Sequence, residues 1–345
     1  MDLIAFGTVF LEIVFGDVPS LPAPGEEVFA DEFAISCGGG AVTAASAASR
    51  IGASAGLSTL LSEDLGSRVA EEYCHRAGVD LSASQRVTGP AAGITVVMNY
   101  AGDRAFLSYL PPRAQTESRE HERWLEVLRR ERPAWCYLHA HHGLAGLIRE
   151  ARDLGIRVAV DVALNDIAAD PAAVLACARL ADVFLPNTEE LLRLTGATSL
   201  AAAIGAAVSW GPPVVVKRGA GGAIVAGQPG QVGQTEVTEG IKRVRVRDRT
   251  GAGDAFAGAL IGALCQGASL TEAVAAGNEA GSDTVSRLGA VGEVNVEGLS
   301  LAASAVMATA VTVAAGERAA RTGRDTLESR PLGPGGRPPG PGGPP

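Results

Sequence analysis

The chain has 345 residues, 47% of them hydrophobic and 19% charged, which is typical of a globular protein with a substantial core. Its formal net charge of -9, without a long basic run, argues against a general nucleic-acid-binding protein, which would carry a basic face. Its five cysteines are odd in number and widely spaced, which favours reduced thiols in a cytoplasmic protein over a disulfide framework or a zinc site.

The first third of the chain predicts strands, helices and a small β structure. The apolar run at 2–7 has no basic flank, so it predicts a first strand and not a signal peptide. Segments 38–52 and 65–77 predict helices, the first opened by glycines. Residues 91–110 predict a hairpin joined at AGDR, which together with residues about 11–36 indicates a small separate β structure.

From residue 133 the pattern becomes a regular alternation of strands and helices. The predicted strands are AWCYLHA, IRVAVDVA, DVFLP and PPVVVKRG, and the helices between them are GLAGLIREARDLG, PAAVLACARLA and TEELLRLTG. This alternation predicts a parallel sheet covered on both faces, with GGAIVA and KRVRVR as an antiparallel edge and a late helix at 271–287. Ligands bind beyond the carboxyl ends of such strands, where Asn187, Gly219 and Gly251 would converge.

The stretch DRTGAGDAFAGALIGAL, residues 248–264, places Asp254 after a Gly-Ala-Gly turn at the start of an apolar helix. The turn lacks the Lys-Ser/Thr of a P-loop and the glycine spacing of a dinucleotide site. The backbone N–H groups of Gly251, Ala252, Gly253 and Asp254 could cradle a transferring phosphoryl group while the Asp254 carboxylate takes a proton from an attacking alcohol. The alternative for Asp254 is a plain helix N-cap.

The same stretch resembles the C-terminal signature of the ribokinase family, the pfkB-type carbohydrate and nucleoside kinases. Four further stretches are similar to motifs of this family: CGGGAVTAASAASRIGASAGLSTLLSEDLGS, PNTEEL, VVVKRGAGGAIV and AAGNEAGSDTVSRLGAVG. The resemblance covers roughly residues 1–298. It implies a ribokinase-like three-layer sandwich with a mostly parallel central sheet and a small β lid formed by the segments at about 11–36 and 91–110.

The resemblance also implies the roles of particular residues. Asp254 would be the catalytic base, and Gly251, Ala252 and Gly253 would form the anion hole. ATP would contact Asn187, Glu190, Lys217, Gly219, Gly222 and Asn278, and the acceptor would contact Phe10, Glu12, Gly38, Gly39 and Thr43. Glu190 would hold Mg²⁺ through water, because this hard cation prefers oxygen ligands and keeps most of its waters. A plain capping motif fits Asn187 and Glu190 equally.

Two features leave alternatives open. Asp248 lies where family members bind a monovalent cation, but Arg249 follows it where Thr is common, so activation by K⁺ is left open. The run HAHH, with His139, His141 and His142, is consistent with loop packing, with substrate contact by one histidine or with a metal site, although no acid or thiol cluster is spaced near it in the sequence.

The acceptor pocket departs from the family pattern. Phe10 and Glu12 stand where an Asn and an Asp hydrogen-bond the sugar, and Thr43 replaces an Asn, so ribose is a doubtful acceptor. Phe10 either fills the pocket wall or stacks on a nucleoside base. We therefore expect an ATP-dependent kinase that phosphorylates a hydroxyl of a sugar, sugar acid or sugar phosphate. The alternatives are a nucleoside kinase and, on the same fold, a catalytically silent nucleotide or sugar sensor.

The remaining expectations concern partners and the end of the chain. Similar kinases share the lid between two subunits, so a homodimer through the lid is left open. Residues 299–320 predict an Ala-rich helix with too few large apolar side chains for a membrane span, and residues 321–345 form a Pro/Gly-rich tail that predicts disorder.

Overall fold

The structure is a computed structural model that describes residues 1–100, 102–112, 117–227, 235–238 and 243–294. Its strands are β1 (Leu3–Phe6), β2 (Phe10–Gly16), β3 (Glu32–Gly38), β4 (Ala55–Ser58), β5 (Leu60–Leu61), β6 (Gln85–Arg86), β7 (Gly93–Tyr100), β8 (Asp103–Tyr109), β9 (Trp135–His139), β10 (Arg157–Asp161), β11 (Val183–Phe184), β12 (Val214–Lys217), β13 (Ala223–Ala226) and β14 (Thr235–Thr238). Its helices are α1 (Gly40–Arg50), α2 (Leu65–Ala77), α3 (Glu117–Glu131), α4 (Leu144–Asp153), α5 (Leu164–Ala169), α6 (Pro171–Leu180), α7 (Thr188–Thr195), α8 (Leu200–Val208), α9 (Ala252–Cys265) and α10 (Leu270–Thr284).

The central sheet has the order β14-β13-β12-β11-β10-β9-β1-β4. The strands from β4 to β12 pair in parallel, and β13 and β14 form an antiparallel edge. The parallel strands are near-continuous apolar runs because helices cover both faces of the sheet. The predicted three-layer α/β fold with a mostly parallel sheet is confirmed.

Alternate residues of each strand enter two different cores, one on each face of the sheet. In β1, Leu3 and Ala5 join the core formed with α1, α2, α9 and α10. Ile4 and Phe6 join the core formed with α3, α4, α6, α7 and α8. In β9, Tyr137 lies on the α9 side and Leu138 on the opposite side. The α9 side is the one that carries the site described below.

The small β sheet is also confirmed, with the order β3-β2-β7-β8. It is fixed to the body of the protein by the chain after α10. The Ser36 hydroxyl donates a hydrogen bond to the Gly292 carbonyl at 2.9 Å, and the Val294 N–H donates to the Ile35 carbonyl at 2.9 Å. Leu288 completes the contact by packing among buried apolar side chains on one face of this sheet. We call this sheet the lid.

Two predictions of local structure need correction. KRVRVR is not an edge strand: residues 243–247 form no strand, and the Arg247 N–H donates to the Val285 carbonyl at 2.8 Å, at the end of α10. The edge strand is β14, which pairs with β13. Helices α3, α5 and α8 had no counterpart in the predicted elements. The predicted helix at 299–320 and the tail at 321–345 lie outside the described residues.

All five cysteines are free, and four of them are buried. Within the described part of the chain, no single helix is long and apolar enough to cross a membrane. By length and composition alone, α7 and α8 pass that test only as a pair bent by 69°.

Candidate active site

Three polar side chains end three strands of the central sheet. His139 is the last residue of β9, Asp161 the last of β10 and Lys217 the last of β12. His139 and Asp161 are direct partners in the register of β9 and β10. Each of the three lies two positions after a residue of the α9-side core on its own strand. Side chains two positions apart on a strand point to the same face, so all three point toward α9.

Helix α9 brings its N-terminus to the same place. Gly251 is its N-cap, with a φ of 73°, and a Cβ there would lie 2.6 Å from the Ala290 Cβ, so the turn requires glycine. Asp254 therefore lies in the first turn and does not cap the helix. Among the described residues, the N–H groups of Gly253 and Asp254 have no hydrogen-bond acceptor. Free amides at a helix N-terminus are suited to an anion.

Asp254 uses one carboxylate oxygen for protein contacts and leaves the other free. Its Oδ1 lies 2.9 Å from His139 Nε2 and accepts a hydrogen bond from the Tyr137 hydroxyl at 2.9 Å. Its Oδ2 has no hydrogen-bond partner among the described residues. The side chain keeps 21% of its surface exposed, so the free oxygen can reach a ligand. This is the arrangement that a general base needs.

Lys217 and Asp161 form an ion pair behind the helix N-terminus. The Lys217 Nζ lies 2.8 and 2.7 Å from the two carboxylate oxygens of Asp161, and the Tyr137 hydroxyl lies 3.2 Å from Asp161 Oδ2. A Cβ on Gly253 would lie 3.1 Å from Lys217 Nζ. The ammonium group is therefore next to the free amides, where it can contact the same anion.

The charges of this cluster shift the pKa values of its members. Burial lowers the pKa of His139, but the hydrogen bond and charge of Asp254 and the charge of Asp161 outweigh burial and raise the pKa to about 9. Burial raises the pKa of Asp254, but His139 and Lys217 outweigh it and hold the pKa below its usual value. The positive charges of His139 and Lys217 thus offset nearby carboxylate charge. A site with such cations can hold a fixed carboxylate and still accept an anion.

The histidine run divides between the site and the surface. His139, Asp161 and Asp254 offer ligand atoms within 4.8 Å of one another, so an acid pair does lie near this run, contrary to the sequence-based expectation. Lys217 already supplies the cation at Asp161, which disfavours a metal ion there. His142 points outward to Asp170, with its Nδ1 3.0 Å from the carboxylate, and the His141 ring stacks on that of His121.

Asn187 and Glu190 form a capping box at the start of α7. The Asn187 Oδ1 accepts the Glu190 N–H at 2.9 Å, and Glu190 Oε2 accepts the Asn187 N–H at 2.6 Å. Glu190 is only 8% exposed; burial and the nearby Asp161 raise its pKa to about 7, against the opposing charge of Lys217. Within the described residues, Oε1 of Glu190 has no partner, so capping leaves one oxygen free for a metal-bound water.

The predicted acceptor residue Glu12 is buried close enough to Asp254 for their charges to interact. Glu12 is 5% exposed, and its Oε2 accepts the Ala290 N–H at 3.2 Å. Its Oε1 has no partner among the described residues. A Cβ on Gly38 would lie 2.0 Å from that oxygen, so the glycine makes room for it. Burial, with the charges of Asp248 and Asp254, raises the pKa of Glu12 to about 7.

Other residues predicted for the acceptor have structural contacts. The Phe10 ring lies over Gly93, and a Cβ added at Gly93 would be 2.5 Å from the ring. This packing is what we expect of a residue in the pocket wall. Thr43 is 2% exposed, and its hydroxyl donates to the Gly39 carbonyl at 3.0 Å. Gly39 is the N-cap of α1, with a φ of 110°. The acceptor roles of Phe10, Gly39 and Thr43 stay predictions.

The remaining predicted residues lie in the turn after β12, in α10 and just before α9. Gly219 and Gly222 form the turn between β12 and β13, and Asn278 is buried in α10 at 5% exposure. Asp248 is 1% exposed and accepts the N–H groups of Thr250 and Gly289 at 2.8 and 2.9 Å. Its carboxylate therefore fixes two turns of the backbone. Its role in binding a monovalent cation stays a prediction.

Sequence reasoning missed Tyr137, Asp161 and Gly40 as members of the site. A Cβ on Gly40 would lie 2.5 Å from both Asp254 Oδ1 and His139 Nε2, so the start of α1 approaches the pair closely. The sequence signal that could have indicated them is a polar residue at the end of an apolar strand, as in YLH (137–139) and AVD (159–161). Parallel strands bring such ends together at one edge of the sheet.

Comparisons with known proteins identify the family and the fold. Residues 5–295 match the model of the pfkB family carbohydrate kinases. The chain therefore belongs to the pfkB family. A search of curated protein sequences gives no match.

Solved structures share the ribokinase-like fold. An adenosine kinase from Sinorhizobium meliloti has a TM-score of 0.69 at 19% identity, covering 89% of this chain and 99% of its own. An Arabidopsis thaliana ribokinase complexed with ribose and ATP has a TM-score of 0.68 at 22% identity, covering 84% and 94%. An E. coli protein assigned as a ribokinase II, in complex with ATP and Mg²⁺, has a TM-score of 0.68 at 19% identity, covering 84% and 94%.

Proposed function

We propose that this pfkB-family kinase transfers the γ-phosphoryl group of ATP to a hydroxyl of a small sugar-like acceptor, with Asp254 as general base. One observation carries the proposal. Among the described residues, Oδ2 of Asp254 and the N–H groups of Gly253 and Asp254 have no partner; they lie in the same turn, with the Lys217 ammonium beside them. A base and an anion cradle side by side are the two requirements of phosphoryl transfer to an alcohol.

The reaction follows from these contacts. The acceptor oxygen attacks the γ-phosphorus as its proton passes to Asp254 Oδ2. The bond from the γ-phosphorus to the β–γ bridging oxygen breaks, and ADP leaves with the electron pair. The amides of Gly253 and Asp254 and the Lys217 ammonium stabilise the charge on the transferring group. The lid, which carries Glu12, lies over the acceptor side and excludes water.

The residues around Glu190 fit a nucleotide with Mg²⁺. Glu190 has a carboxylate oxygen without a partner in the described part of the chain, close enough to Lys217 for their charges to interact. Bound Mg²⁺ would neutralise charge on the β- and γ-phosphates, and Glu190 would orient its waters. The structure of the E. coli protein assigned as a ribokinase II, which contains ATP and Mg²⁺, supports a nucleotide with Mg²⁺ here. The turn of Gly219 and Gly222 would contact the nucleotide.

A nucleoside kinase is the second candidate, favoured by the likeness to an adenosine kinase. The Phe10 ring packs on Gly93, which supports a wall position and gives less support to stacking on a base. A catalytically silent sensor is disfavoured because Asp254, the amides at the start of α9 and Glu190 are all present together.

The deciding experiment measures ADP formation with Mg²⁺ against pools of sugars, sugar acids, sugar phosphates and nucleosides. The Asp254→Asn variant runs alongside, in K⁺ and in Na⁺ buffers. Acceptor-dependent turnover that falls by about 10²-fold or more in the variant supports the proposal. A nucleoside as the sole acceptor selects the second candidate. Binding of ATP without turnover in any pool contradicts both, and dependence on K⁺ would support the cation role of Asp248.

We also propose that the lid forms a homodimer interface. One face of the sheet exposes Phe33, Ile94, Leu107 and Tyr109, with exposures of 57%, 40%, 69% and 40%. Contiguous apolar surface of this kind typically marks an interaction site. Sedimentation should show a dimer that Leu107→Asp dissociates, whereas Ile51→Asp, at the end of α1, leaves it intact. A monomeric wild-type protein would contradict the interface.

A further inference from the structure

We propose that His139 and Tyr137 act as positioning residues that clamp one oxygen of Asp254, so that only the other oxygen can take the proton of the acceptor hydroxyl. The inference rests on the proposed phosphoryl transfer. It assigns a part in that reaction to β9, where the sequence indicates only His139, with its role left open between loop packing, substrate contact and a metal site.

The clamp consists of two donors on a single oxygen. Asp254 carries its charge on two equivalent oxygens, and a free carboxylate could present either one to the acceptor. The Tyr137 hydroxyl and the His139 Nε2 both lie 2.9 Å from Oδ1. His139 must donate in this contact, since a carboxylate only accepts. Oδ2 has no such contact within the described residues.

The two donors are themselves fixed. The Tyr137 side chain is completely buried, and its hydroxyl lies 2.9 Å from His139 Nε2 and 3.2 Å from Asp161 Oδ2. Tyr137 and His139 are two positions apart on β9, so both point to the same face of the sheet. On the other side, the start of α1 limits movement, because Gly40 leaves no room for a side chain beside the pair.

The charged groups facing His139 favour its imidazolium form. They are Asp254 from α9, Asp161 from β10, Glu190 from α7 and Lys217 from β12, and the carboxylates together outweigh the ammonium. An imidazolium on Oδ1 keeps Asp254 ionised at pH values where a carboxylate in a buried site would otherwise take up a proton. His139 thus sets both the orientation and the protonation state of the base.

The first test needs no substrate. The imidazole of His139 is titrated by NMR in the full-length protein, and its signal among the five histidines is identified by its loss in His139→Gln. We expect titration near pH 9 in the wild type and at a lower pH in Asp254→Asn. Titration near the ordinary value of about 6.5, unchanged by Asp254→Asn, would overturn the proposal.

The second test is kinetic. His139→Leu should lower kcat by about 10- to 100-fold with little change in the KM for ATP, because the base loses its orientation and not its place. The acid limb of the pH profile should move to higher pH, since Asp254 then protonates more readily. His139→Gln keeps a donor and should recover most of kcat. His142→Gln, an exposed position of the same run, is the matched control and should behave as wild type.

The outcomes separate the two proposals. A wild-type protein without turnover on any acceptor rejects the proposed function, and the NMR titration then decides the clamp alone. An active wild type, with His139→Leu and His139→Gln both within about twofold of its kcat and an unmoved acid limb, rejects the clamp and keeps the kinase. If His139→Leu fails to fold, the comparison of wild type, Asp254→Asn and His139→Gln still decides.

Discussion

Lys217 Nζ bridges both carboxylate oxygens of Asp161, at 2.8 and 2.7 Å, in a site where the two side chains are only 13% and 2% exposed. The pair holds the ammonium group beside the free amides of α9. Burial lowers the pKa of Lys217, but Asp161 and Glu190 outweigh it and raise the pKa, so the side chain stays charged. The carboxylate of Asp161 is therefore what keeps a buried cation charged beside these amides.

Asp161→Asn should destabilise the protein strongly, because it leaves a buried ammonium without its counter-charge. Loss of one partner of a buried pair typically costs about 3–5 kcal/mol. Denaturant unfolding measures the change, and ATP turnover should fall with it. Asp103→Asn, at a lid position that is 72% exposed, should stay within about 0.5 kcal/mol of wild type. Equal stability of the two variants would mean that the pair does not hold this corner of the site.

Gly40→Ala tests the close approach of α1 to the base. The added Cβ would lie 2.5 Å from Asp254 Oδ1 and from His139 Nε2, so one of these side chains must move. We expect kcat to fall by about 10- to 100-fold, since displacements near 1 Å have effects of this size. Steady-state kinetics measures the loss.

Gly205→Ala is the control for Gly40→Ala. Gly205 lies in α8 with open space around it, so the same substitution should leave kcat unchanged and raise stability by up to about 1 kcal/mol. Full activity of Gly40→Ala would show that the pair tolerates displacement.

The α9 turn could be predicted because all the residues that define it are consecutive in the sequence. The Gly-Ala-Gly-Asp sequence places a helix N-terminus and a carboxylate within four residues, and both are in the structure as expected. Tyr137 and Asp161 could not be assigned in this way. Strands buried on both faces are apolar at every position, so the sequence does not show which face a terminal residue takes. Only the register of β9 and β10 brings these two residues to Asp254.

Local errors also have physical causes. KRVRVR alternates like a strand, but Val246 is 52% exposed and the backbone of this segment bonds to the end of α10. Helix α8, LAAAIGAAV, has no polar face and therefore little helical periodicity to detect. Tertiary contacts, and not local pattern, decide both segments.

Glu190→Gln should weaken the use of Mg²⁺ without unfolding α7. Glutamine can keep the capping box, because its side-chain oxygen also accepts the N-cap N–H, but it has no charge for a metal-bound water. We expect the Mg²⁺ concentration for half-maximal turnover to rise by about tenfold or more. Turnover is measured against Mg²⁺ at saturating ATP.

Glu272→Gln is the matched control for Glu190→Gln. It occupies the same position of a second capping box, formed with Ser269 at the start of α10. Both variants should melt near wild type, and only Glu190→Gln should change the Mg²⁺ dependence. If both variants had the Mg²⁺ dependence of the wild type, Glu190 would be a capping residue only.

Glu12 should make the stability of the folded protein fall as the pH rises. Burial, with the charges of Asp248 and Asp254, raises its pKa to about 7, whereas glutamate in an unfolded chain titrates near 4.3. The folded state therefore binds the proton more tightly. The contribution of Glu12 is full below about pH 4.3 and is lost as the pH rises through about 7.

Glu12→Gln removes this contribution, so its free energy of unfolding should decline less than that of wild type between pH 5 and pH 8. The difference should reach about 3 kcal/mol at most, since each unit of pKa shift corresponds to about 1.4 kcal/mol. Denaturant unfolding at the two pH values measures it. Glu190 titrates in the same direction in both proteins and cancels. Glu189→Gln, an exposed position, is the control, and its free energy of unfolding should decline as that of wild type does. If the free energy of unfolding of Glu12→Gln also declined as that of wild type does, Glu12 would be ionised at neutral pH at no cost to the fold.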